Sequence, residues 1–221
     1  MEYIVKILDI EKISKNVKKF KIEKPKNYNF IPGQHAIFKI NKPKFEGVKR
    51  FFSFSSSDDE DYLEFMARIY SDREGGTKQF DKLKMGDELI ISEGKGKIKY
   101  IKNGIFIAGG IGISPLISIF RKLKKRNDLK GNRLICMNKT KEDIILEGEL
   151  RDLFGDSVLF TLTQEKIKGY ENKRIDKDFL KNNIKSFNQK FYLCGPFKMV
   201  RELKQALIGL GAKEENIVSE I

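Results

Sequence analysis

Cysteine and histidine are nearly missing from this chain. Its 221 residues hold two cysteines, Cys136 and Cys194, and one histidine, His35. Two separated thiols and one imidazole do not make a zinc or iron–sulfur site, so no metal centre is expected. Nor do they make a disulfide framework, and a reduced, cytoplasmic setting is the default. A secretory leader is not visible either. The N-terminus, MEYIVKILDIEKISK, mixes charged and apolar residues from the start and has no h-region. One uncharged run stands out, Gly104 to Phe120. It is shorter than the ~20 residues a spanning helix needs, and three glycines with a Ser-Pro interrupt it, so no membrane span is expected. Zinc-finger spacing and basic-aromatic recognition motifs are absent, which argues against nucleic acid as a partner. No internal repeat or low-complexity linker is found.

Positive charge, by contrast, is plentiful. Lys and Arg number 44 against 31 Asp and Glu, a formal net charge of +13. The excess runs along the whole chain. It reads either as a Lys-rich solvated surface or as attraction to an acidic protein or polyanion.

The first hundred residues are β-rich. Tyr3–Ile10, Val17–Glu23, Gln34–Ile40, Phe51–Ser56, Tyr62–Tyr70 and Glu88–Ser92 read as strands, and Pro32-Gly33 and Gly86-Asp87 punctuate them. Short strands in series predict a six-stranded antiparallel barrel. One short helix is expected over about Thr77 to Leu83. From Lys102 strands and helices alternate. Strands are expected at Ile105–Ala108, Arg133–Met137, Val158–Thr163, Phe191–Cys194 and Ile217–Glu220. Helices are expected from Pro115, near Thr140, around Asp176–Lys181 and from Pro196 to about Leu210. That alternation predicts a doubly wound, five-stranded parallel sheet with helices on both faces. Two domains follow, 1–98 and 102–221, with the boundary near Lys97–Asn103.

The run Gly104–Phe120 organises the second half. A buried strand, Ile105–Ala108, leads into Gly109, Gly110 and Gly112. Ser114 then reads as an N-cap, with Pro115 at the first helical position. A strand, a glycine turn and a helix N-terminus can hold a phosphate, because backbone N–H groups and the helix dipole favour negative charge. A plain structural turn has the same signature. Thr140 and Asp143 resemble a capping box, and Gly211 sits where a helix C-cap belongs.

Four motifs taken together resemble those of ferredoxin–NADP reductase-type flavoproteins, in the family's order and over almost the whole chain. They are Pro32-Gly33-Gln34, the flavin motif Arg50-Phe51-Phe52-Ser53, the nucleotide loop Gly109-Gly110-Ile111-Gly112-Ile113-Ser114-Pro115, and the late Cys194-Gly195-Pro196. The resemblance implies FAD rather than FMN on the barrel and NADH or NADPH on the parallel sheet. Arg50 would then meet a flavin phosphate, as a permanent cation with forked donors. Phe52 stands where the family has a Tyr stacked on the isoalloxazine, so stacking survives and one polar contact is lost. Ser53 would approach flavin N5. Gly76 and Thr77, after Gly75, would cap flavin phosphates at the short helix. Gly109, Gly110, Gly112 and Pro115 would hold the dinucleotide pyrophosphate, with Gly195 and Pro196 beside them. Cys194 would lie against the nicotinamide, and Glu220 matches an acid near the family's C-terminus. These three, Ser53, Cys194 and Glu220, are the candidate catalytic residues. The family often ends in an aromatic that covers the flavin. Here Ile221 stands instead, so either that side is open or another residue covers it.

The loop Asn138-Lys139-Thr140-Lys141 should lie near the adenosine ribose. Lys139 and Lys141 suit a 2′-phosphate, but there is no Arg pair, and NADH and NADPH both stay open. His35 reads as a partly exposed structural residue with no visible partner. The expected activity is hydride transfer from NAD(P)H to FAD. Electrons would then pass to a separate acceptor, an acidic ferredoxin or flavodoxin, another subunit or free flavin. A monomer or weak homodimer is expected. An electron-transfer subunit of a larger complex and a basic nucleic-acid-binding module are the alternatives.

Overall fold

The computed structural model describes residues 1–45, 47–70 and 76–221. The first half contains β1 (Glu2–Ser14), β2 (Val17–Glu23), β3 (His35–Ile40), β4 (Lys49–Ser53), β5 (Tyr62–Arg68), a short helix α1 (Gly76–Phe80) and β6 (Glu88–Ser92). The strands form one antiparallel sheet in the order β4-β3-β6-β1-β2-β5. β1 is long enough to serve both halves of it. Glu2–Lys6 pairs with β6, and the rest pairs with β2 after a register shift between Ile7 and Asp9. Such an irregularity bends a strand and tightens its twist. The two ends of the order, β4 and β5, then meet through a bridge from Phe54 to Phe65, which closes the barrel.

Alternation explains what fills it. Phe20, Phe38, Phe54, Phe65 and Phe80 are fully buried, and Phe20, Phe38 and Phe52 each lie within 5 Å of Phe65, ring centre to ring centre. Burying one such ring is worth about 1.5–3 kcal/mol. Five elements differ from the pattern reading. β3 starts at His35, one residue late, and β5 stops at Arg68, short of Tyr70. β1 runs four residues beyond Ile10, because its outer end keeps pairing with β2, which pairs with β5 on its other side. β4 stops at Ser53. The alternation of Phe-Ser-Phe-Ser continues past it, but Ser55, Ser56 and Ser57 turn inward as buried polar residues. α1 ends at Phe80, short of Leu83.

The second half contains β7 (Gly104–Gly109), α2 (Ser114–Lys125), β8 (Arg133–Asn138), α3 (Glu147–Phe154), β9 (Val158–Leu162), α4 (Lys177–Asn183), β10 (Lys190–Cys194), α5 (Phe197–Gly209) and β11 (Ile217–Val218). All five strands are parallel, in the order β11-β10-β7-β8-β9. Alternate residues feed two cores. Phe106, Ala108, Leu134, Cys136 and Tyr192 pack with α2 and α3. Ile105, Ile107, Ile135, Phe191 and Leu193 pack with α4 and α5. The doubly wound arrangement is therefore as the alternation predicted.

Two helix starts are corrected. Ser114 is no N-cap. A turn of 3-10 helix, Gly110–Ile113, runs straight into α2, so Ser114 has helical backbone angles and its buried hydroxyl has no hydrogen-bond partner among the described residues. A capping residue needs an extended backbone, which the tight turn denies it. Thr140 and Asp143 do form a capping box, but on a single 3-10 turn, Lys141–Asp143. The α-helix itself starts at Glu147.

Helix α2 joins the two halves. Ser118 Oγ donates to the Ser56 carbonyl at 2.6 Å. Arg121 donates to the Ser55 carbonyl at 3.0 Å and to Glu64 of β5 at 2.6 Å, and grips Glu149 of α3 with two further bonds. Val17, Met66 and Ile98 from the barrel side join the core around α2.

Candidate active site

The C-terminal edge of the parallel sheet faces the barrel, the position where ligands of open α/β sheets sit. Two adjoining cavities occupy the gap. The first, about 400 Å³, is lined from the barrel by Phe51, Phe52, Ser53 and Thr77 and from the sheet by Pro115, Cys194 and Glu220, among others. The second, about 890 Å³, runs along the sheet edge past Gly109, Gly110, Asn138, Thr163 and Pro196. Arg68, Tyr70, Ile111, Gly112 and Gly195 line both.

The glycines of the loop after β7 have separate physical reasons. Gly110 has φ +53, in the left-handed region. Gly112 lies flat on the β10 end, where an added Cβ would come within 2.5 Å of the Cys194 carbonyl and of Gly195 N. A side chain there would push the two strand ends apart.

Ser53, Cys194 and Glu220, far apart in sequence, meet around the first cavity. Glu220 Oε1 accepts from Lys97 N at 3.0 Å and Ile98 N at 3.3 Å, and lies 3.9 Å from His35 Nδ1. His35 thus has a partner that the sequence did not reveal. Gly96, at φ +122, makes room for the pair: a Cβ there would sit 2.7 Å from Glu220 Oε1 and 2.9 Å from His35 Nδ1. Cys194 is 6% exposed at the end of β10. Burial, with the negative charge of Glu220 adding to it, pushes its thiol well above the ordinary range, so it stays protonated at neutral pH. Burial likewise pushes Cys136 up to about 12. Both thiols are free, and they stand on opposite sides of Ala108 in neighbouring strands. Two strand spacings, roughly 10 Å, exceed the reach of a disulfide.

The barrel residues are placed less uniformly. Phe52 is 8% exposed and packs among Phe38, Phe65 and Phe80 while touching the cavity. Phe51 is 67% exposed and lines it as well. Arg50 is not among the lining residues. Its Nη1 donates to the neighbouring Lys49 carbonyl at 2.6 Å. Gly76 opens α1, and Gly75 lies outside the described residues. Thr140 is turned into its capping box and does not line the second cavity, although Lys139 and Asp143 do. Lys141 turns away, with Nζ 5.7 Å from the Tyr170 ring centre.

Arg68 is the residue that the motifs missed. It ends β5 after five buried positions, and its guanidinium lies over Gly110, where a Cβ would be 3.2 Å from both Nη1 and Nη2. Its buried Nε and Nη2 have no hydrogen-bond partner among the described residues. A half-buried cation with two buried donors left open among the described residues, above a glycine turn and a helix N-terminus, fits a dianionic pyrophosphate. The one signal in the sequence was an arginine at the end of a mostly apolar strand, on the face of Glu64 and Met66 that points away from the barrel core. Among the described residues no group of acidic, His or Cys side chains could hold a metal. No helix there is long and apolar enough to cross a membrane.

Comparison with known proteins agrees with the two-part fold. Residues 4–100 match the oxidoreductase FAD-binding domain and residues 106–205 the oxidoreductase NAD-binding domain. The chain is thus an FAD- and NAD(P)-dependent oxidoreductase. It belongs to the ferredoxin–NADP reductase-like family. It is 28% identical to NADH-cytochrome b5 reductase 1 of Coccidioides immitis, over 92% of this chain and 72% of that protein. Among solved structures it resembles a ferredoxin NADP+ reductase from Neisseria gonorrhoeae with bound FAD and NADP. The identity is 24%, the TM-score 0.82, and 95% and 92% of the two chains are covered. It also resembles a cytochrome P450 reductase of Amycolatopsis, at 20% identity and TM-score 0.87, covering 100% of this chain and 69% of that one. At those identities the two structures speak for the fold.

The residues present suit both groups. The first cavity offers aromatic faces and a hydroxyl. The second offers glycine backbone, a helix N-terminus and the open donors of Arg68.

Proposed function

We propose that the protein is an NAD(P)H reductase of a separate one-electron carrier: NAD(P)H and two oxidised carriers give NAD(P)+, a proton and two reduced carriers. The observation that carries this is the shared wall of the two cavities, at Arg68, Gly112 and Gly195, with Ser53, Cys194 and Glu220 gathered on one side of it. The flavin supplies the exchange of one hydride for two single electrons. The chain's own work is to bind, align and exclude water. In this reading residues 1–98 hold the flavin and 102–221 the dinucleotide. Phe51 and Phe52 offer ring faces to the isoalloxazine. Gly76, Thr77 and Arg50 serve the flavin phosphates, Arg50 after its guanidinium leaves the Lys49 carbonyl. Arg68 and the loop Gly109–Pro115 take the pyrophosphate. Cys194 and Ser53 set the distance between the two rings, and Glu220 is held in place by two backbone N–H groups.

The carrier is proposed to be a small acidic protein, given the charge of +13. The names of the relatives favour a cytochrome b5-type haem protein over a ferredoxin or flavodoxin. A cytoplasmic monomer is the simplest setting for two free, buried thiols. The test is to load the purified protein with FAD, add NADPH or NADH without oxygen, and follow the loss of flavin absorbance. Cytochrome b5, ferredoxin and flavodoxin are then offered in turn. A colourless protein after loading, or a flavin that neither nucleotide bleaches, would refute the reading.

A further inference from the structure

The second cavity has an uneven charge. Arg68, Lys139, Lys173, Arg174 and Lys198 line it, against the single carboxylate of Asp143. Not all of those cations are available. Arg174 pairs with Glu202 at 2.5 Å, Lys198 lies 4.0 Å from the same carboxylate, and Arg68 sits over Gly110. Lys139 and Lys173 have no ion pair among the described residues. The carboxylate is engaged as well, since Asp143 Oδ2 accepts from Thr140 N at 3.3 Å and from its hydroxyl at 3.1 Å.

Position decides what these charges meet. The glycine turn ends β7, and β8 and β9 follow beside it in the sheet, each ~4.8 Å further on. A dinucleotide with its pyrophosphate at the turn therefore brings its adenosine ribose to the ends of β8 and β9. Those ends are tied together, with Thr163 N donating to the Asn138 carbonyl at 3.0 Å and Gln164 N to the Lys139 carbonyl at 2.9 Å. Sites for NADH place an acid at the end of the second strand, where it accepts from the ribose 2′-hydroxyl and repels a 2′-phosphate. Here that strand ends in Asn138 and continues with Lys139, and the third ends before Thr163. Glu165 is close in sequence, but its carboxylate accepts from Lys141 N at 2.7 Å and does not line the cavity.

We infer that the dinucleotide site selects NADPH over NADH, with Lys139 and Lys173 meeting the 2′-phosphate of the adenosine ribose. The inference rests on the reductase reading above and runs against the NADH in the name of the Coccidioides immitis relative. Two unpaired cations at a dianion make a contact that NADH does not offer.

The test is binding to the FAD-loaded protein, by calorimetry, of 2′,5′-ADP and of 5′-AMP, which differ by the 2′-phosphate. The expected result is at least tenfold tighter binding of 2′,5′-ADP, with the margin shrinking at high salt. The double change Lys139→Ala, Lys173→Ala should remove most of that margin and leave 5′-AMP within about twofold. Lys139→Glu should invert it. Equal affinity for the two probes, tighter 5′-AMP, or a margin untouched by the lysine changes would overturn the inference. Flavin reduction separates the two layers. Bleaching by NADH in preference to NADPH overturns the selectivity and leaves the reductase standing. Bleaching by neither nucleotide removes the reductase, while the probe affinities still decide for or against a 2′-phosphate site.

Discussion

Cys194 shows what a single residue contributes here. At the end of β10 it lines the first cavity, while burial keeps the thiol protonated. A hydride moves as a unit, so the residue's proposed task is spacing, and small misplacements of reacting atoms can cost about 10²-fold. Cys194→Ala is expected to keep its flavin and fold but to be reduced by NAD(P)H about tenfold or more slowly, ~1.4 kcal/mol in the barrier. Reduction by dithionite should be unchanged, because it bypasses the nucleotide. Anaerobic stopped-flow is the measurement, and a wild-type rate with NAD(P)H would make Cys194 a packed thiol only.

Helix α2 is the element that couples the two halves. It starts at the glycine loop after β7 and, two turns on, carries Arg121, which binds Glu64 of β5 and Glu149 of α3. Glu64 is 5% exposed, and that guanidinium is its nearest cation at 2.6 Å. Ser55 Oγ at 2.8 Å and Lys19 at 3.9 Å offset only part of a loss. Breaking a buried pair by removing one side typically costs about 3–5 kcal/mol. Arg121→Met should therefore lower unfolding stability by about 3 kcal/mol, the low end because of those two other partners. Urea denaturation checks it, and a loss under about 1 kcal/mol would mean that Glu64 does not rely on Arg121. β5 bears Glu64, Met66 and Arg68 along one side, so the strand clamped at Glu64 also carries the arginine that lies over Gly110.

Over the whole molecule, the dominant feature is charge. A basic protein facing an acidic carrier gains in association rate by steering, and salt removes the gain as the screening length falls from about 10 Å at 0.1 M to about 3 Å at 1 M. Turnover with an acidic carrier is expected to fall about tenfold or more over that range, while turnover with a neutral dye stays nearly constant. Equal behaviour of the two acceptors would return the lysines to the role of a solvated surface.

Much of this molecule is local, and that part is legible in the sequence. The six-plus-five strand division follows from the change from alternating strands to strand–helix pairs, and the two-faced core of the parallel sheet follows from residues such as Ile105 and Phe106 pointing opposite ways. Motif positions alone select Ser53, Cys194 and Glu220. What the sequence cannot supply is distance. That Glu220 meets His35 across 185 positions depends on Gly96 leaving space. That Ser114 does not cap α2 depends on the turn before it being 3-10 and not extended. That Arg68 has two donors without a partner among the described residues over Gly110, and that Lys139 faces the second cavity while Lys141 does not, are facts of side-chain packing between elements. Periodicity and turn chemistry act over a few residues, so the sequence determined the elements and their faces. The sites lie between elements, where burial and steric exclusion act over the whole fold, and only the tertiary structure decided them.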